Sequence, residues 1–169
     1  SDNFRADYCK VGWFIADFNP KVVALFTATC PGEVEADIRR VLALPEAGKF
    51  LYYPRRNNLK LCSDEFSGDY DLVDMAKKCG GSYIVYCSSI KRVEETAVYM
   101  QDKLGEEVGI FHGKLDDGDK RTFMDNFMLN RVRGIVATNA FGMGVDKSDI
   151  RMVVHRDHPG SLEALMQEV

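Results

Sequence analysis

No apolar run in this chain approaches the roughly 20 residues that a membrane-spanning helix needs, and no membrane is expected among its partners. The first residues, Ser1-Asp2-Asn3-Phe4-Arg5, lack the charged-then-apolar order of a secretion signal. An initiator Met is also missing, so residue 1 reads as the middle of a longer chain. Cysteine is sparse and irregular: Cys9, Cys30, Cys62, Cys79 and Cys87 form no CxxC pair. That excludes a zinc ribbon and a thioredoxin-type redox site. An odd number of scattered thiols suits a reducing compartment, so a cytoplasmic or nuclear/nucleoid location is expected. There is no internal repeat and no low-complexity segment.

Several ligand signatures are also missing. Gly109 to Leu115 imitates a phosphate-binding loop, but the gap between Gly109 and Gly113 is too short. Leu115 also stands where Ser or Thr would hold magnesium. Gly142-Met143-Gly144 is not a dinucleotide fingerprint, because Lys147 occupies the place of the third Gly. Asp116, Asp117 and Asp119 lack the spacing and closing Glu of a calcium loop. They read instead as a turn and the negative start of a helix. His112 has no His or Cys at ligand spacing, and no metal site is expected.

Charge is nearly balanced, with 22 Lys and Arg against 26 Asp and Glu, a net −4. That argues weakly against nucleic acid, yet phosphate contacts depend on local clusters. Arg39-Arg40, Arg55-Arg56 and Arg131 with Arg133 are such groups, though such a group is more often just a solvated face.

What is present is a foldable α/β pattern. The 169 residues are 46% hydrophobic and 28% charged. Val11, Phe14, Ile15 and Phe18 recur at helical spacing. Val22 to Phe26 reads as a buried strand with Thr27-Ala28-Thr29 at its end. A helix follows, capped by Thr29 or its neighbours, with Pro31 in its first turn. Val34, Ile38, Val41 and Leu42 would form its buried face. Pro45, Gly48 and Pro54 mark residues 45–57 as a boundary. Leu59 to Phe66 reads as a further strand.

From residue 69 onward helix and strand alternate. Helices are expected around 72–79, 93–104 and 123–128, and strands over 83–87, 108–111, 134–137 and 152–154. Such alternation predicts a parallel sheet flanked by helices.

The stretch from Gly134 to His155 organises the rest. Thr138, Gly142, Gly144 and Asp146 follow the carboxyl end of a buried strand. Open α/β sheets place ligands there. An ordinary strand-to-strand connection is the other reading, and both stand. Ser89, after the 83–87 strand, is likewise a plain helix cap, a phosphate contact, or both.

The string Val136-Ala-Thr-Asn-Ala-Phe-Gly-Met-Gly-Val-Asp-Lys147 resembles the fifth motif of superfamily 2 helicases, in its RecQ-like form. Other segments resemble the same family. Phe4-Arg5 with Tyr8 is similar to its aromatic-rich loop, with Ala6 in place of Pro. Thr27-Ala28-Thr29 resembles the third motif and Ser89 the Ser of the fourth. Arg56-Asn57-Asn58-Leu59 resembles the opening of the second domain, with Asn57 where Pro is usual. Phe111 to Leu115 resembles the His-Gly-x-Leu segment, and Gln167 the start of the sixth motif.

The resemblance implies RecA-like architecture: residues 1–44 ending a first domain, 45–57 a linker, and 58–169 a truncated second domain. It implies an ATP-dependent helicase that moves 3′ to 5′ on single-stranded DNA and opens partly duplex DNA. Phe4, Arg5, Ser89, His112 and Thr138 would meet nucleic acid. Thr27 and Thr29 would couple the sites, Gly142 and Gly144 would shape the turn, and Asp146 and Gln167 would face the nucleotide cleft. ATP and Mg2+ belong to the parent enzyme. The P-loop, the acidic Asp-Glu-x-His box and the arginine finger do not occur in this span. The span alone is therefore expected to be inactive and to bind no cofactor tightly. A superfamily 2 RNA helicase and a truncated, non-catalytic nucleic-acid-binding module are the alternatives.

Overall fold

The computed structural model describes residues 10–27, 30–52, 56–63, 68–142 and 145–168, with the side chains of Glu163 and Gln167 excepted. The chain divides into two compact units, Ser1–Leu61 and Cys62–Val169.

The second unit is built on a parallel sheet. Its strands are β1 (Ser82–Tyr86), β2 (Val108–Phe111), β3 (Gly134–Ala137) and β4 (Ile150–His155). They lie in the order β2-β3-β1-β4. The register sets Tyr86 beside Ala137 and His155, and Phe111 beside Ala137. Central strands buried on both faces should be apolar throughout. All of β1 and β3 is buried accordingly.

Strand alternation sorts the core into two layers. Tyr83, Val85, Cys87 and Val136 pack with α3 (Asp69–Lys78) and α4 (Ile90–Leu104). Leu72, Val73 and Ala76 come from α3, and Val93, Ala97 and Met100 from α4. Ile84, Tyr86, Ile135 and Ala137 face the other way, toward Phe127 of α5 (Asp117–Met128) and toward Phe141. Asp116 caps α5 by accepting from the Asp119 amide at 2.8 Å. The aspartate cluster is thus a turn and helix start.

One close approach fixes the sheet. A Cβ on Gly134 would lie 1.9 Å from the Tyr83 ring. The same ring carries the Arg133 guanidinium at 5.2 Å. Arg133 donates to the carbonyls of Ala76 and Cys79 and pairs with Glu106 at 2.8 Å. Lys147 pairs with Asp149 at 2.6 Å and lies 5.3 Å from the Phe127 ring centre. Asp149 accepts from Ser82 Oγ at 3.0 Å. The amino-end edge of the sheet is therefore tied by internal charge pairs. Arg133, read from sequence as part of a local basic group or a solvated face, is one of these ties.

The first unit is different. Its described residues hold α1 (Val11–Phe18) and α2 (Gly32–Val41). Gly12 lies against the Val41 carbonyl, where a Cβ would approach to 2.5 Å. The expected strand over Val22 to Phe26 is not there, and Val22, Leu25 and Phe26 are exposed. A strand needs a neighbour to satisfy its backbone, and the described residues of this unit supply none. The expected buried face of α2 is corrected for the same reason. Leu42 is buried and Ile38 partly so, but Val34 and Val41 face solvent. Pro31 is the N-cap rather than a first-turn residue, and it offers no side-chain cap.

Residues 59–63 form no strand, and 64–66 of that expectation lie outside the described residues. Helix α6 (Leu162–Glu168) has no counterpart in the sequence reading. No helix of the described residues is long and apolar enough to cross a membrane.

Candidate nucleic-acid interface

Parallel strands end at one edge, and backbone bonds carry the pairing past those ends. Cys87 N donates to Ala137 O at 2.8 Å, Thr138 N to Phe111 O at 3.0 Å, and Arg156 N to Tyr86 O at 2.9 Å. The turns carrying Ser89, His112 and Thr138 are thereby set side by side.

Ser89 is the N-cap of α4, its Oγ accepting from the Arg92 amide at 3.3 Å. It is exposed at the amino end of a 15-residue helix. Backbone amides and the helix dipole there favour an anion. Thr138 is half-buried, and its Oγ1 accepts from the Ala140 amide at 3.4 Å. With that oxygen accepting, the hydroxyl proton is free to donate to an incoming oxygen. His112 is only 6% exposed, with Nε2 3.7 Å from Glu94 Oε1. His112 is thus an inward-facing member of its turn.

Gly142 has φ +114, a conformation that L side chains rarely adopt. A Cβ there would also lie 2.8 Å from the Tyr86 hydroxyl. Tyr86 donates to the Phe141 carbonyl at 3.3 Å and stacks on His155 at 5.4 Å. His155 Nε2 and Glu168 Oε2 share a hydrogen bond at 2.9 Å. A continuous chain of contacts thus runs from the Thr138–Gly142 turn through β1 and β4 to α6. Burial, reinforced by the Glu168 charge, pushes the Tyr86 phenol up to about 12, so it stays a neutral donor.

Asp146 is exposed, and its carboxylate makes no hydrogen bond or ion pair to any described residue. Gln167 lies in α6, and its side chain is outside the description. Thr27 lies in the first unit, in a stretch without regular secondary structure. Phe4, Arg5, Thr29 and Gly144 lie outside the described residues.

The edge also holds a cluster that sequence reasoning missed. Asp157 Oδ2 accepts from Ser88 N at 2.8 Å and from Ser88 Oγ at 2.9 Å. Arg92 lies 3.3 Å from its other oxygen. Arg156 Nε pairs with Asp69 at 2.6 Å. Burial alone would raise the Asp157 carboxyl, but the two Ser88 donors and the arginines hold it below the ordinary carboxylate value.

Comparison with known proteins identifies the family. A family model described as the helicase conserved C-terminal domain matches residues 68–169. The chain belongs to the helicase C-terminal domain family. The probable ATP-dependent DNA helicase RecS of Bacillus subtilis is 34% identical over 171 residues, covering 99% of this chain and 34% of that protein. The ATP-dependent DNA helicase RecQ of Haemophilus influenzae is 31% identical, covering 98% of this chain and 27% of that protein. The RecQ-like resemblance read from the motifs therefore extends over almost the whole chain. This helicase C-terminal domain chain spans about a third or less of the length of those relatives. Among solved structures, Saccharomyces cerevisiae Dbp5 bound to RNA and ADP BeF3 matches with a TM-score of 0.77 at 21% identity. That match covers 99% of this chain and 45% of Dbp5. It shows the RecA-like fold.

Proposed function

We propose that this chain is part of an ATP-dependent DNA helicase that moves 3′ to 5′ on single-stranded DNA and opens duplex. The observation that carries the reading is the carboxyl-end edge, where three turns of the family's motifs are tied side by side. Identities of 34% and 31% to the DNA helicases RecS and RecQ, over nearly the whole of this chain, support it.

Ser89 and Thr138 present a helix amino end and a hydroxyl to the DNA backbone, and the turn of His112 lies between them and the free edge of β2. Phe4 and Arg5 meet single-stranded DNA by stacking and charge. Gly142 and Gly144 shape the turn. Asp146 does not meet DNA, because a carboxylate would repel its phosphates. It accepts from a ribose hydroxyl or orients an arginine of the nucleotide cleft, which Gln167 borders. Thr27 and Thr29 couple that cleft to strand separation. Residues 1–44 close the first RecA-like domain, 45–57 are the hinge, and 58–169 belong to the second. The protein works inside the cell on single-stranded and partly duplex DNA.

ATP and magnesium are used by the whole enzyme. This span alone would be inactive as an ATPase, because its sequence carries no P-loop to hold the phosphates and magnesium.

The test uses the full protein that carries this span. Asp146→Ala should cut DNA-stimulated phosphate release by about tenfold or more, the worth of one charge-assisted hydrogen bond, and leave DNA affinity nearly intact. Thr138→Ala should weaken DNA binding first. Equal losses of turnover and binding in both variants would refute the assignment. Stimulation by RNA but not DNA would make the enzyme an RNA helicase.

A further inference from the structure

We infer that Asp157 is a positioning residue for nucleic acid, holding the β1–α4 turn in its phosphate-binding shape. The inference rests on the nucleic-acid reading proposed above. Its basis is how completely one carboxylate governs that turn. Arg156 N donates to Tyr86 O, which seats residues 156–157 against the end of β1. From there Asp157 takes both donors of Ser88, amide and hydroxyl, on a single oxygen. Its other oxygen faces Arg92, one turn into α4, and lies 4.0 Å from Arg156. Arg156 is itself held by Asp69 at the start of α3. Strand end, turn and two helix starts are thus locked by one branched network.

Two consequences follow for binding. Both donors of Ser88 are engaged by Asp157, which leaves it none for a phosphate. Ser89 Oγ accepts from the Arg92 amide and Ser89 O from the Val93 amide. The amides left at the amino end of α4 are those of Ser89, Ile90 and Lys91, which have no intrahelical partner. Asp157 aims these amides without touching the ligand. A carboxylate this near a phosphate would repel it, and the two arginines offset that charge. Positioning and charge therefore pull in opposite directions at this residue, and substitutions separate them.

The experiment titrates the 169-residue chain into a fluorescent oligothymidylate over a range of salt, with melting temperature measured on the same samples. Asp157→Ala loses the acceptor, and affinity per folded molecule should fall about tenfold. Asp157→Asn keeps an oxygen for Ser88 and removes the charge, so it should bind at least as tightly as the unaltered chain. Ser88→Ala keeps the amide bond and drops the hydroxyl bond. It should fall between the two, and it decides the matter if Asp157→Ala does not fold. Tighter binding by both Asp157 variants would show a purely electrostatic role and overturn the inference. Lower melting temperatures with unchanged affinity in all three variants would show a purely structural role and overturn it too. If the unaltered chain itself shows no salt-dependent binding, the nucleic-acid reading fails first and takes this one with it.

Discussion

The two units carry similar apolar residues and put them to opposite uses. The second unit folds Leu72, Tyr83, Met100, Phe127, Ile135 and Phe141 into two sealed layers around a sheet. The first unit leaves Trp13, Phe14, Phe18, Val22, Phe26 and Phe50 exposed, with Leu42 its buried apolar side chain among the described residues. Apolar residues in a helical or strand pattern record a capacity for burial. Whether they are buried depends on a partner surface, and among the described residues only those of the second unit make their own.

The sharpest break of that comparison exchanges one phenylalanine in each unit for alanine. Phe127 is 0% exposed, and Phe127→Ala should cost about 3–5 kcal/mol of stability. Phe26 is 93% exposed, and Phe26→Ala should change stability by no more than about 0.5 kcal/mol. Urea unfolding of both variants measures the difference. Similar losses would mean that Phe26 has a packing partner in solution and that the two units are not distinct in this way.

A smaller effect concerns pH and involves two carboxyls of the second unit. The carboxyls of Asp157 and Asp149 lie below their ordinary values in the folded chain. Burial opposes the shift at Asp157, but Ser88, Arg92 and Arg156 outweigh it. Lys147 and Ser82 lower Asp149 against a smaller opposing effect of burial. A depressed carboxyl adds stability above its unfolded value, near 3.9, and loses it as pH falls through the folded value. Melting temperature should therefore be flat above about pH 5 and decline below about pH 4. Asp157→Asn should make that decline shallower. An unaltered acid limb in the variant would remove Asp157 from the account of stability.

How much of this was legible in the sequence follows the same contrast. The four strands and helices α3 to α5 of the second unit, though not α6, were readable because local periodicity and local partners agree there. Ser89 and Asp116 were readable as helix starts for the same reason. The turns around Thr138 and Gly142 could be placed at a strand end because the strand itself was plain. Val22 to Phe26 misled, since a β-branched run looks the same with or without a neighbouring strand. The Asp157 network was invisible, because Ser88 lies 69 residues from Asp157 and Asp69 lies 87 from Arg156. Neither pair has a local spacing to betray it. The fit of Gly142 under the Tyr86 hydroxyl is hidden likewise, since only the parallel register of β1 and β3 brings them together.

The central claim is that nucleic acid meets the carboxyl-end edge of the sheet. Amide NMR of the isotope-labelled chain, titrated with oligothymidylate, tests it most directly. Shifts should concentrate at residues 89–91, at Gly113 and at residues 138–142, and fade as salt is raised. Shifts concentrated instead at Gly81, Arg133, Lys147 and Asp149, on the opposite edge, would contradict it.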